Sequence, residues 1–382
     1  MSSPDLILVL NCGSSSIKFA VFDAAQARPS RTALWRDKVE GIGPAMTAHA
    51  ALADVRRRVD DWLDGRRIVV VAHRVVHGGT RFHQPTVIDR EVLADLRRLI
   101  PLAPLHQPFA LDAIETMLAD APDLLQVACF DTAFHHDMPA VERMLPLPRS
   151  LRADELRRYG FHGLSYAFMA VALEERYGER ANGRTLVAHL GSGASLCALH
   201  DLKSVATTMG FSALDGIMMG TRSGAIDPGV LLYLMEVEHL TPGEVGHLLY
   251  HDSGLLGVSG LSADPRELLA READHDGARD ALALYVRRIV HEAGALIAVL
   301  GGLDLLVFTA GIGEHSAELR RRICAAFSFM GIRIDDAANR NDAPVISRAD
   351  SSITVGVEPT DEEWIAARDV LDLQAHLPKN RP

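Results

Sequence analysis

Residues 6–22 read LILVLNCGSSSIKFAVF. The apolar run Leu6–Leu10 predicts a buried strand, Asn11–Ser16 a glycine-serine turn, and Ile17–Phe22 a second strand, which together make a hairpin. The pattern returns in the second half of the chain. Thr185–Leu190 predicts a strand, Gly191-Ser192-Gly193 a turn, and Ala194–Leu199 the next strand. Such an echo points to an internal duplication. Outward from these hairpins, Ile68–Ala72, Leu125–Phe130 and Leu305–Thr309 predict further buried strands. Glu91–Ile100, Phe109–Leu118 and Ala278–Leu300 carry helical spacing. Strands alternating with helices predict an α/β fold.

The chain has 382 residues, enough for two domains. A boundary is expected near residue 133, where a strand ends and a proline-rich stretch (Pro139, Pro146, Pro148) follows. The expected division is 1–133, completed by a C-terminal helix over 364–382, and 134–363. With 39 Lys and Arg against 50 Asp and Glu, the net charge is −11, which disfavours nucleic acid as a partner. An anionic ligand must then be held by a local cluster of positive groups. The four cysteines lie far apart with no CxxC pair, so reduced, mostly buried thiols are expected. The N-terminus lacks a basic segment before its short apolar run and does not read as a signal peptide. The apolar stretch Gly294–Gly313 is interrupted by Asp304 and several glycines. No membrane span is expected there, and the protein is read as cytoplasmic.

Several motifs could carry chemistry. Asn11-Cys-Gly-Ser14-Ser-Ser16-Ile-Lys18 offers small residues, hydroxyls and a lysine to an anion, without the second glycine of a Walker A loop. Taken alone it reads as an ordinary hairpin turn. His73-Arg74-Val-Val76-His-Gly-Gly79 sets a guanidinium at a strand end, in an anion site or a structural salt bridge. Asp131 closes a strand in FDTAFHH, where open α/β sheets place their chemistry. The histidines around it lack zinc spacing. Tyr159-Gly-Phe161-His162-Gly holds a histidine that, alone, reads as a buried hydrogen-bonded one. His189-Leu-Gly-Ser-Gly193 is the second phosphate-type turn. Met219-Gly-Thr-Arg222-Ser-Gly flanks an arginine with small donors. Gly311-Ile312-Gly313-Glu314 stands between a strand and a helix running through Phe327, where free N–H groups face an anion. Glu358-Pro-Thr-Asp-Glu362-Glu363 also suits a capped, acidic helix start. Together these are the parts of a phosphoryl-transfer site: backbone cradle, cationic clamp and metal ligands.

NCGSSSIK, HRVVHGG, PLAPLHQP, FDTAFH, YGFHGLS, HLGSG, MGTRSG, AGIGE and EPTDEE occur in the order and spacing of the acetate kinase family, which the chain resembles from residue 7 to about 370. The resemblance implies two similar actin-like (ribonuclease H-like) ATPase domains with the active site in the cleft between them. It implies reversible ATP-dependent phosphorylation of acetate to acetyl phosphate, with Mg²⁺ or Mn²⁺, in a homodimer. By the same likeness, Asn11, Ser14, Ser16 and Lys18 lie near phosphates and metal. Arg74 and Arg222 bind the acyl carboxylate and the transferring phosphoryl group, to which His162 donates. Asp131 and Glu362 organise the metal, and Val76, Leu105 and Phe161 pack the acyl methyl. His189, Gly191, Ser192, Gly193, Asp264, Arg266, Gly311, Ile312 and Gly313 hold the nucleotide.

A carboxylic acid is already ionised at neutral pH, so the nucleophile needs no general base. It needs relief from repulsion by the γ-phosphate, and two arginines with a divalent metal would supply that. The chain departs from the family pattern at Ser192 (usually Asn), Ala213 (usually Pro, walling the acyl pocket), Ala225 (usually Asp), Leu164 and Tyr166. Ala213 would leave room for a longer acid, and propionate or butyrate phosphorylation is the alternative activity. A catalytically inactive nucleotide-binding regulator on the same fold is the other alternative.

Overall fold

The computed structural model describes residues 5–13, 15–26, 28–43, 46–151 and 155–376. The predicted hairpin is there: β1 (Asp5–Cys12) pairs antiparallel with β2 (Ser16–Asp23), with Asn11 opposite Lys18. Gly13 N–H donates to the Ser16 carbonyl at 2.9 Å, closing the turn. A connection this short can join only antiparallel strands. β3 (Trp35–Glu40) continues the antiparallel run on β2. β4 (Arg67–Val75) then lies parallel to β1, which requires a crossover, and the helix Ala48–Leu63 provides it. The two-residue β5 (Thr86–Val87) caps the far edge against β6 (Leu125–Phe130), which runs parallel to β4. The sheet order is 3-2-1-4-6-5.

Leu6, Leu8 and Leu10 share one face of β1, because side chains alternate along a strand. They join Val55 and Val59 of the crossover helix, with Ala113 and Met117 of the helix Gln107–Asp120, in one apolar core. The C-terminal helix Glu362–His376 buries Trp364, Ile365, Val370 and Leu371 and packs on β1 and β4.

The second sheet repeats the plan. β7 (Thr185–Leu190), β8 (Ala194–His200) and β9 (Lys203–Thr207) form an antiparallel meander. β10 (Leu305–Thr309) and β11 (Thr354–Val357) add on the other side of β7, both parallel. The order is 11-10-7-8-9. Each sheet is therefore a three-stranded meander whose first strand is extended by two parallel neighbours, and only the first sheet carries the extra edge strand β5. The crossover into β10 includes the 25-residue helix Asp276–Leu300.

By compactness the chain forms two units. The first comprises residues 1–136, 163–168 and 361–382; the second comprises 137–162 and 169–360. The helix Gly163–Tyr177 contributes its first six residues to one and the rest to the other. All four cysteines are free thiols, and burial pushes those of Cys12, Cys197 and Cys324 up to about 12. Among the described residues no helix is long and apolar enough to cross a membrane.

Candidate active site

In the first unit the site residues gather around one guanidinium. Arg74 comes near the end of β4 and Asp131 directly follows β6; parallel pairing sets these strand ends side by side. Arg74 donates from Nε at 2.9 Å and from Nη2 at 2.7 Å to the two carboxylate oxygens of Asp131, a bidentate pair. Its Nη1 lies 3.1 Å from Glu362 and 3.4 Å from Asn11 Oδ1. Asp131 is 2% exposed. Burial disfavours the charge on Arg74, but the carboxylates of Asp131 and Glu362 outweigh it and hold its pKa well above the ordinary value. Glu363, next to Glu362, is raised by burial and by its like-charged neighbour.

Backbone packing fixes this cluster. Gly163 N–H donates to the Asp131 carbonyl at 2.8 Å, and a Cβ on Gly163 would lie 2.2 Å from that oxygen. Only glycine lets the two segments approach so closely. Glu362 stands at the first turn of its helix, where Asp361 accepts the Trp364 N–H at 2.9 Å. Lys18 is exposed on β2, directly across from Asn11 on β1, so the two side chains share a face. Ser16 and Val76 are half-buried, Leu105 is exposed, and Ser14 lies outside the described residues.

The second unit assembles a second cluster at the glycine turn after β7. A Cβ on Gly193 would stand 3.3 Å from His162 Nε2 and 3.7 Å from Arg222 Nη1, so both cationic-type side chains reach the backbone of this turn. Gly191 N–H donates to the Gly193 carbonyl at 3.1 Å. The turn's middle residue, Ser192, is exposed. His162 holds the left-handed conformation (φ +59°) at the start of the helix Gly163–Tyr177. Its Nδ1 hydrogen-bonds the Ser195 hydroxyl at 2.8 Å, and its ring stacks on His189 at 4.2 Å. Strain at a non-glycine residue is kept where the surroundings enforce it, and here Ser195 and His189 hold the ring.

Arg222 donates to the Ala213 carbonyl at 3.1 Å. Its loop sits on the short helix Gly254–Ser259, whose Leu255 and Leu256 N–H groups donate to the Met219 and Gly220 carbonyls. Gly254 (φ +65°) is required there, since a Cβ would lie 2.3 Å from the Met219 carbonyl. Phe161 is buried beside His162 in sequence, and Ala213 is half-buried.

The remaining nucleotide candidates divide. Gly311, Ile312 and Gly313 do not merely precede a helix: they lie inside a short one, Ala310–His315. The single helix expected through Phe327 is broken at Ser316 and resumes over Ala317–Ala326. The break is tied down by the fully buried Arg320. It donates to the Gly313 and Glu314 carbonyls at 2.8 and 2.6 Å, and to Asn339 Oδ1 at 2.8 Å. Asp264 caps the helix Pro265–Arg271 and pairs with Arg266, whose side chain is 84% exposed. The Arg266 hydrogen bond lowers the Asp264 pKa.

Sequence reasoning missed Ser195, Arg320, Gly163 and Gly254 as parts of this machinery. Ser195 lies two residues beyond the HLGSG motif, and only the pairing of β7 with β8 reveals its bond to His162. Arg320 is one of three successive arginines, and nothing in their spacing says which is buried.

Compared with known proteins, the chain matches the profile of the Acetokinase family over residues 37–368. This chain belongs to the acetokinase family. It is 46% identical to the acetate kinase of Rhodopseudomonas palustris (strain TIE-1), over 96% of this chain and 98% of that protein. Among solved structures, the acetate kinase of Porphyromonas gingivalis superposes with a TM-score of 0.86 at 36% identity, covering 97% of this chain and all of that one. A propionate kinase from Francisella tularensis subsp. tularensis SCHU S4 also gives 0.86, at 31% identity, covering 96% of this chain and 98% of that one. The two-domain actin-like fold of this acetokinase follows from these likenesses, and the matching sheet orders are its internal signature.

Proposed function

We propose that this acetokinase transfers the γ-phosphoryl group of ATP directly to acetate, forming acetyl phosphate and ADP, and runs the reverse reaction equally through the same site. The observation that carries the reading is the meeting of His162 and Arg222 at the backbone of Gly193. A glycine turn with an arginine and a histidine against it supplies donors on several sides of a phosphoryl group without covalent chemistry. His162, steadied by Ser195 and His189, donates to the transferring group. Arg222 neutralises charge as the acyl oxygen approaches. Phe161 and Ala213, and likewise Val76 and Leu105, are assigned to the acyl methyl by the family resemblance alone.

Arg74, with two N–H groups on Asp131 and one nitrogen near Glu362, holds the carboxylates in place. The set Asn11 Oδ1, Asp131 and Glu362 fits Mg²⁺, which favours oxygen ligands and binds through one or two carboxylates plus substrate phosphates. When bound, Mg²⁺ would offset the charge of the nucleotide phosphates. The nucleotide itself is assigned to His189, the 191–193 turn, Gly311–Gly313, Asp264 and Arg266, with Ser16 and Lys18 on the phosphates. Ser14 belongs to that reading by sequence.

A homodimer is also inferred. The helix Pro228–Glu236 buries none of its residues, and Val230, Leu232, Tyr233 and the following Val237 are 40–55% exposed. A run of apolar side chains this open is the surface a second copy would cover.

The test is a hydroxylamine trap of acyl phosphate, with purified protein, MgATP and, in turn, acetate, propionate and butyrate. The highest kcat/KM is expected with acetate. One methylene is worth only about 1–3 kcal/mol in an apolar pocket, so propionate should follow within about 10–200-fold. Hydroxamate from no acid, despite measurable ATP binding, would overturn the reading.

A further inference from the structure

The second sheet also has a polar groove at its other end. Gly183 and Asp304 precede β7 and β10, and Thr354 opens β11; the three line a cavity of about 770 Å³ together with Arg180, Ser347 and Ser352. The glycine turn follows β7 at its other end. Six residues at about 3.3 Å each separate the two ends by about 20 Å. The groove opens to solvent, with Arg180, Glu179 and Ser352 exposed, and its lining is polar where small-molecule sites are usually apolar.

The donors here are only partly engaged within the protein. Arg180 reaches the Thr354 hydroxyl at 3.4 Å and pairs with no carboxylate among the described residues. The Ser347 and Ser352 hydroxyls have no hydrogen-bond partner among the described residues. Most of the carboxylates nearby are already answered. Asp304 accepts from Arg184 Nη2 at 2.7 Å and from Nε and the backbone N–H at 2.9 Å. Glu358 is held by Arg176 at 2.5 Å. Asp350 is shared by Arg333 at 2.9 Å and Arg348 at 3.1 Å. Glu179, on the exposed rim, is the remaining acid. Guanidiniums outnumber carboxylates around this cavity, in a chain whose net charge is −11.

We propose that this cavity is a second anion site that binds the phosphoryl group of a small hydroxylated metabolite, a sugar phosphate. A phosphate offers three acceptor oxygens, enough to take Arg180 and the hydroxyls of Ser347, Ser352 and Thr354 at once. The sugar hydroxyls would donate to Glu179. A lone carboxylate would leave part of this donor set unused.

The experiment is isothermal titration calorimetry on the whole protein saturated with MgADP, which occupies the nucleotide site. Glucose 6-phosphate, inorganic phosphate and glucose are titrated separately. Glucose 6-phosphate is expected to bind one per chain, and Arg180→Ala to weaken it about tenfold or more, the worth of a hydrogen bond to a charged group. Ser352→Ala, which removes only a hydroxyl, should weaken it about threefold and serves if Arg180→Ala does not fold. Acetate-dependent turnover of both variants without sugar phosphate should stay within about twofold of the parent, as expected of a site outside the catalytic machinery. Inorganic phosphate binding in competition with glucose 6-phosphate would support the phosphoryl site and name free phosphate as its source. No binding at millimolar concentrations, glucose binding as well as its phosphate, or affinity unchanged by both substitutions would each overturn the proposal.

Discussion

Arg74 and Arg222 have the same side chain and different predicted losses. Arg74 sits between Asp131 and Glu362, whereas Arg222 hangs from the Ala213 carbonyl beside the Gly193 turn. Replacing either with Ala should lower kcat by about 10²–10³, as removal of a preorganised charge contact does, with ATP affinity roughly intact. Arg74→Ala should also cost about 3–5 kcal/mol of stability, because it breaks a buried ion pair. Urea denaturation beside single-turnover kinetics separates the two effects. An Arg74→Ala protein as stable as the parent, or near-parental turnover in either variant, would sink this account. Sequence made both arginines visible as anion ligands. For Arg74 a structural salt bridge was one of its two readings, but its partners Asp131 and Glu362 were not visible, because they depend on β4 and β6 ending side by side and on a helix contributed from residue 362 onward.

At the scale of elements, short apolar runs bounded by glycine and serine were readable as strands, so both hairpins were found nearly to their ends. The helix Gly163–Tyr177 went unread: it begins at a left-handed histidine instead of a capping Ser or Asp, and it is apolar on most sides. The break at Ser316 was hidden for a related reason. It is held by Arg320, one turn on, whose burial against the distant Asn339 the local sequence does not announce. The C-terminal helix carries a testable titration. Asp369 is raised to about 6 by burial, against the opposing pull of Arg368, with Asp372 adding a like charge. It therefore holds its proton more tightly folded than unfolded. Its contribution is greatest below about pH 4 and is lost as pH rises through about 6. Asp369→Asn should thus be more stable than the parent at pH 8, by on the order of 1–3 kcal/mol, with the difference gone at pH 4. Chemical denaturation at the two pH values measures it; an advantage that is the same at both would refute the assignment.

For the whole molecule, the duplication suspected from two glycine-serine turns became firm only when the strand orders 3-2-1-4-6 and 9-8-7-10-11 could be laid against each other. Residue identity between the halves is too low to carry it; hydrogen-bond pairing is not. The quaternary prediction belongs here as well. Leu232→Asp with Tyr233→Asp should convert the proposed dimer to monomer in light scattering, since two charges in an apolar contact leave uncompensated desolvation. A dimer that persists unchanged would place the contact elsewhere.

The helix Glu362–His376 lies on β1 and β4, strands made long before it. During synthesis those strands leave the ribosome and then wait while residues 137–360 are translated, roughly 10–45 s at about 5–20 residues per second. Throughout that interval, the surface later covered by Trp364, Ile365 and Val370 stays open to any holdase in the cell. The first unit is begun before the second and completed after it, so a message truncated between codons 137 and 361 yields a protein whose first unit never closes.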